Sequence, residues 1–422
     1  MAIDKKVLKS SIEREQNELA RSAEREKIKG LKNLNVPPLR FPEFQGKWEK
    51  KRISEFCTLL KGTGISKDQL STNGKPCILY GELYTKYKAE IINEVLSCTE
   101  LDANTLVKSK VNDVIIPCSG ETAIDIATAR CIPFDDVLLG GDLNILRSNK
   151  VNGSFLAYQL NGKRKYDIAR VAQGVSVVHL YGEHLNNIVI SLPVIEEQQK
   201  ISRLLHLLDE RIATQNKIIE KYESLIKGIS NKLLYTDSGI PVCLGEILTE
   251  RLERTKVNNQ HEILSSTVKG IFSQREYFSK EIASENNVGY KIIRLHDIVL
   301  SPQNLWMGNI NYNDKFDIGI VSPSYKIYSI ADGYDKKYIA ALLKTHRALY
   351  NYMLVSEQGA SVVRRNLNTE AFEQLVFKMP SHNKQREIGY GISLLNYRLE
   401  IANILIRTYE SQKQYLLRQM FI

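Results

Sequence analysis

The sequence predicts an α+β protein written twice: two related globular domains, each followed by a long helix, the two helices pairing antiparallel as a coiled coil. Three observations lead there. The stretch "GVSVVHLYGEHLNNIVISLP" from Gly174 to Pro193 returns as "GASVVRRNLNTEAFEQLVFKMP" from Gly359 to Pro380, and such self-similarity marks a duplicated unit. Both copies run on into apolar residues spaced alternately four and three apart, the signature of a heptad seam. At 422 residues the chain also exceeds the roughly 100 to 200 residues of one ordinary domain.

Read in order, residues 1–34 form a charged helical extension, 35–195 a first domain, 196–236 a central helix, 237–380 a second domain and 381–422 a C-terminal helix. Each domain contributes the same kinds of segment. "RISEF" at Arg52 meets "CLGEI" at Cys243, and "KVNDVIIP" from Lys110 resembles "RLHDIVLSP" from Arg294, laying Asp113 on Asp297. "VNDVIIPCSG", "VLLGGDLNIL", "HDIVLSPQN" and "GIVSPSYKIYSI" are β-branched runs closed by turn residues. "GSFLAYQLNGKRKYDIARV" and "KKYIAALLKTHRALYNYMLV" carry helical spacing, and "LNTEAFEQL" opens on a cap at Asn368 or Thr369.

The helices follow one register. The first seam is Ile201, Leu205, Leu208, Ile212, Gln215, Ile219, Tyr222, Ile226, Ile229 and Leu233. The second is Ile388, Ile392, Leu395, Leu399, Ala402, Ile406, Tyr409, Lys413, Leu416 and Met420. Tyr222–Glu223–Ser224 lies on Tyr409–Glu410–Ser411 in the same alignment. Two such stripes bury best against each other, and 33 residues at about 1.5 Å each make a rod of roughly 50 Å. The competing arrangement packs each helix on its own domain.

Composition bounds the function. Hydrophobic residues at 43% and charged residues at 25% describe a folded chain rather than a disordered one. No run approaches the roughly 18 to 20 apolar residues that span a bilayer, and the N-terminus lacks a signal-peptide core, so a cytoplasmic location and no membrane partner are expected. Six cysteines without a CxxC pair and seven histidines without an H-E-x-x-H give no metal site. "KGTGIS" at Lys61 is a turn rather than a phosphate loop, no G-x-x-x-x-G-K-[ST] occurs, and Val36 breaks the catalytic motif that "NVPP" would otherwise suggest. No catalytic residue is assigned. A net charge of +10, spread without a polycationic block, is compatible with a polyanionic partner. Two divergent modules on a stiff spacer suit a target with two separated features. Duplex DNA supplies these about 34 to 36 Å apart on one face.

From Val36 to the C-terminus the chain resembles the specificity (S) subunit of type I restriction-modification systems. The resemblance rests on "VPPLRFPEFQGKWEKKRISEF", "GVSVVHLYGEHLNNIVISLPVIEEQQKISRLLHLLDERI" and "GIVSPSYKIY", with a worn second copy in "MPSHNKQREI" and "LLNYRL". It implies two target recognition domains, each reading one half of a bipartite double-stranded DNA sequence, with the helices setting the gap. Two methylation subunits and two restriction/translocase subunits are the implied partners. They bring S-adenosylmethionine, ATP and magnesium, so no cofactor is expected in this chain.

Guanine is read mostly by Arg or Lys and adenine by Asn or Gln, which selects DNA-contact candidates in loop-like stretches. In the first domain these are Tyr84, Lys86, Tyr87, Lys88, Ser119, Thr122, Lys163, Arg164 and Lys165. In the second they are Lys269, Gln274, Arg275, Gln303, Asn304, Asn309, Tyr325, Lys326, Arg364 and Arg365. Each also reads as ordinary solvated surface. Two rival functions stay open: a coiled-coil scaffold that ignores DNA, and a fused methyltransferase or nuclease fragment.

Overall fold

The structure, a computed structural model, describes residues 35–174, 177–234, 239–277, 286–358 and 364–422. The extension expected over 1–34, and residues 175–176 and 359–363 at the start of the two copies of the repeated stretch, lie outside these residues. The chain divides into two compact units, one of residues up to 215 together with 406–422, the other of residues 216–405. The division cuts through both long helices, so each unit holds one end of each.

The first unit is built on two sheets. In one, Leu143–Arg147 lies between Thr58–Lys61 and Asp113–Pro117, with Arg130–Ile132 at the edge, all antiparallel. The run "DVIIP" is buried at every position, which explains why Val114 to Pro117 are apolar in succession rather than alternating. The other sheet has five short strands, with Leu138–Leu139 running parallel to Cys77–Ile78. Glu49–Arg52 pairs separately with Val189–Leu192.

Helix Gly153–Asn161 closes this unit's main core. Its Phe155 ring stands between Trp48, 5.8 Å away, and Phe421, 5.2 Å away. Ile201 and Leu205 from the first long helix and Leu417, Met420 and Phe421 from the end of the chain belong to the same buried cluster. The segment "GSFLAYQLNGKRKYDIARV" breaks at Gly162 into Gly153–Asn161 and Lys165–Val171.

The second unit repeats the plan in a looser form. Ile298–Leu300 lies between Lys326–Ile330 and Ile310–Tyr312, with Leu248–Glu250 outermost. Ile240–Cys243 pairs with Val376–Met379, the counterpart of Glu49–Arg52 with Val189–Leu192. "KKYIAALLKTHRALYNYMLV" is two helices rather than one, Lys336–Leu343 and His346–Leu354. Thr345 ends the first by donating to the Leu342 carbonyl and starts the second by accepting from the Ala348 amide. Asn368, one of the two expected caps, accepts from the Ala371 amide.

The duplication survives at the level of single atoms. Gln198 and Gln385 each donate to the carbonyl of the proline five residues before, Pro193 at 2.8 Å and Pro380 at 2.9 Å. Each also accepts the backbone N–H of a helix-capping residue at 3.0 Å, Asn152 in one unit and Asp335 in the other. Those two caps in turn hold the amides of Phe155 and Tyr338. Asp113 and Asp297 accept the amide three residues back, from Lys110 and Arg294, and each pairs with an arginine, Arg147 at 2.6 Å and Arg251 at 3.2 Å. The residue before each is left-handed, Asn112 at φ 79° and His296 at φ 75°.

The long helices are Ile195–Leu233 and His382–Gln419. Along the first, Ile201, Leu205, Leu208 and Gln215 are buried, while Ile212, Ile219, Tyr222, Ile226 and Ile229 are half-buried. Leu233, expected to close that seam, is 37% exposed, and the neighbouring Leu234 is the buried side chain at 2%. The helix ends at Leu233, and Leu234, whose amide still donates to the Ser230 carbonyl, turns its side chain into the second unit's core instead. On the second helix Ile388, Ile392, Ala402, Ile406 and Met420 are buried, and Leu395, Leu399, Tyr409, Lys413 and Leu416 half-buried.

Candidate nucleic-acid interface

In the first unit three of the expected contacts gather around the short helix Ala123–Ile126. Thr122 caps it, accepting the Asp125 amide at 3.1 Å. Tyr84 approaches from the turn Glu82–Thr85, its hydroxyl 3.6 Å from where a side chain on Gly120 would begin. Lys165 opens the helix beside it. Asp125 acts on both Tyr84 and Lys165; burial holds the Tyr84 phenol above its usual range and the Lys165 amine below its own. Lys88 is exposed nearby in sequence, and Lys163 is half-buried.

Four expected contacts have other work. Tyr87 is 6% exposed, accepts the Leu96 amide, and has its phenol pushed up to about 12 by burial, so it is a core residue. Ser119 is buried and donates to Asp142. Lys86 reaches Glu82 at 2.5 Å and Ser97 at 3.0 Å. Arg164 binds Asp167 and the carbonyl of Ile422, which ties down the chain end. A loop-like sequence does not distinguish a cation facing solvent from one closing a turn.

An aromatic edge outside the expected contacts lies beside this patch. His179 stacks on Tyr181 with ring centroids 6.2 Å apart, and Tyr181 meets His184 edge-on at 5.7 Å. Tyr181 is 45% exposed and Tyr166 71%. The strand that carries His179 pairs with Ser119–Gly120, which places this edge next to the Tyr84 cluster. The signal for it is "VVHLYGEHL", where two histidines flank a tyrosine.

In the second unit Gln303, Asn304, Arg364 and Arg365 are neighbours. The Arg365 amide donates to the Gln303 carbonyl at 3.1 Å, and its guanidinium lies 5.2 Å from the centre of the Trp306 ring. Lys269 sits exposed at the tip of the hairpin Leu264–Thr267 and Gly270–Ser273, where Gly270 at φ 136° makes the turn. Arg275 is exposed just after that hairpin.

Four other expected contacts are occupied. Asn309 is 5% exposed and shares a network with Ser266 and Asn311. Tyr325 donates to the Ser266 carbonyl at 2.9 Å, and Lys326 pairs with Glu250 at 3.1 Å. Gln274 donates to Ser265. Asn309, Tyr325 and Gln274 brace the hairpin, whereas Lys326 ties its strand to the edge strand Leu248–Glu250.

Burial pushes the thiol of Cys57 up to about 12 and those of Cys77, Cys118 and Cys131 up to about 11. Among the described residues no group of His, Cys, Asp and Glu could hold a metal ion, and no helix is long and apolar enough to cross a membrane.

Comparison with known proteins places these features in context. Residues 45–224 match the type I restriction modification DNA specificity domain. The type I restriction enzyme MjaVIII specificity subunit of Methanocaldococcus jannaschii is 26% identical over 201 residues, 46% of this chain. That match spans 43% of the relative's own length. The crystal structure of a type I restriction-modification system S subunit from M. genitalium superposes with a TM-score of 0.62 at 15% identity, covering 92% of this chain and 99% of that one. The HsdS subunit from Thermoanaerobacter tengcongensis matches at a TM-score of 0.40 and 13% identity, covering 92% and 99%. The resemblance read from the sequence, to a type I specificity subunit, is supported by the family match, the curated relative and the shared fold.

Proposed function

Starting from that kinship, we propose that this chain is the DNA-reading specificity subunit of a type I restriction-modification complex, with one domain per half-site of a bipartite target. The observation that carries this is the doubled clamp: Gln198 and Gln385 hold the same two kinds of backbone group in both units. Meanwhile the exposed and half-buried sets at the surface differ, with Tyr84, Thr122 and Lys165 in one unit and Gln303, Arg364 and Arg365 in the other. A conserved frame with unlike surfaces is what reading two unlike sequences requires.

The helices set the gap in this reading. Asp209 meets Lys413 in the first unit, whereas Ile229 and Leu234 share a core with Ile388 and Ile392 in the second. Each of these contacts, taken within its own unit, supports the antiparallel pairing proposed here. Helices of 39 and 38 residues span about 58 Å at 1.5 Å per residue. That length is enough to carry two heads to successive turns of duplex DNA.

The chain itself is non-catalytic and cytoplasmic in this account. Two methylation subunits dock on its two similar frames, as quasi-twofold symmetry favours, and two restriction/translocase subunits join them. S-adenosylmethionine, ATP and magnesium belong to those partners. The test is duplex binding by the chain assembled with its methylation subunits. Affinity for random duplex should fall steeply as salt rises, because bound counterions are released from phosphate, and the purified chain alone should neither methylate nor cut. Absence of DNA binding by the assembled complex would leave the scaffold reading standing.

A further inference from the structure

One polar position interrupts the second seam, and the structure shows what it meets. Lys413 lies in the C-terminal helix, yet its ammonium reaches Asp209 of the first long helix at 2.6 Å and Glu90 of the first domain at 2.5 Å. Lys413 and Glu90 keep only 13% and 9% of their side-chain surface, and Asp209 keeps 3%. Tyr158 donates to the other Asp209 oxygen at 2.7 Å, and its ring lies 5.8 Å from the ammonium. The matching seam position in the first helix is Ile226, so the second unit has no such cluster at the equivalent place.

Glu90 ends the segment that begins at Tyr84. Its backbone carbonyl accepts the Cys131 amide at 2.8 Å, and the buried Arg130 donates to the Tyr87 carbonyl at 2.8 Å. The foot of the Tyr84–Lys88 segment is therefore held on one side by Arg130 and on the other by a cation from the end of the chain. We propose, on the reading that the first domain reads one half-site, that Lys413 is a positioning residue for that half-site. By bridging Asp209 and Glu90 it fixes the Tyr84–Lys88 segment against the helices, so a change in the C-terminal helix relaxes discrimination at the first half-site alone.

A buried carboxylate that loses its cation is left uncompensated. Burial and the neighbouring Glu90 hold the Asp209 carboxyl above its usual range, Lys413 opposes this, and both carboxylates hold the Lys413 amine above its own. Arg130 acts at longer range and Tyr158 by its hydrogen bond. A carboxyl raised in the folded state contributes stability below its unfolded value and loses it as pH rises through the folded value. Removing Lys413 takes away the cation that lowers the Asp209 carboxyl, so its cost should shrink toward acid.

The experiment uses the full chain co-expressed with its methylation subunits, with genomic adenine methylation as the readout. In Lys413→Met, discrimination at the first half-site should fall about tenfold while the second half-site stays intact, and Lys413→Arg should restore it. Glu90→Gln keeps the Lys413–Asp209 pair, frees only the segment, and should give the same one-sided loss if Lys413→Met fails to fold. An even decline at both half-sites, or unchanged discrimination in Glu90→Gln, overturns the proposal. Thermal unfolding of the chain alone decides independently of DNA reading. The deficit of Lys413→Met should narrow between neutral and mildly acidic pH, and a pH-independent deficit also overturns it. A wild-type complex with no bipartite pattern, together with a deficit that does narrow, would refute the DNA reading while upholding the clamp.

Discussion

Gln198 and Gln385 show how one side chain carries a repeat. Each satisfies a carbonyl and an amide that would otherwise be buried unpaired, and Gln198 itself is 3% exposed. Gln198→Ala should therefore cost roughly 2 kcal/mol, since each buried polar group left unmade costs about 1 to 3 kcal/mol. Denaturation of the full chain measures this, with Lys88→Ala as an exposed control expected within about 0.5 kcal/mol of wild type. Arg365 tests the reading surface. Arg365→Ala removes the cation over Trp306 and should relax the second half-site by about 1 to 3 kcal/mol without touching the first, as read by methylation of degenerate targets. Residue identity alone did not separate surface side chains from internal braces. Tyr87 and Asn309 have the right chemistry, but packing turned them inward, and no pattern in a short irregular stretch reports that. His179, Tyr181 and His184 were hidden for the opposite reason, because a segment with a structural role was also given an exposed edge.

The elements were more legible than the residues. Heptad spacing located both long helices to within a few residues of Ile195–Leu233 and His382–Gln419, since a seam of ten positions is a strong periodic signal. Buried runs such as "DVIIP" read as strands for a similar reason. Breaks inside helical spacing did not show: Gly162 and Thr345 divide runs whose apolar period continues across them. The helices also carry a prediction. Seven residues inserted after Gln215 and seven after Leu405 preserve the seam and lengthen the pair by about 10 Å. The gap between half-sites should then grow by about three base pairs at roughly 3.4 Å each, with both half-sites unchanged. Methylation mapping checks this, and altered half-sites with an unaltered gap would count against a spacer role.

For the whole molecule, the duplication could be read because the frame has to be repeated while the surfaces do not. Asp113 and Asp297, Gln198 and Gln385, and the left-handed Asn112 and His296 sit at matched positions. Lys413, Asp209 and Glu90 escape any alignment of the two copies, because they lie on three segments distant in sequence and have no counterpart cluster. Modularity follows from this plan. Replacing residues 241–380 with those of a relative should exchange one half-site and leave the other and the gap as they were.

The most direct measurement of the central claim is a map of methylated adenines in a cell that expresses this chain with its methylation subunits. Two unlike half-sites separated by one fixed gap are the predicted result. A single contiguous motif, or two identical half-sites, would contradict the account.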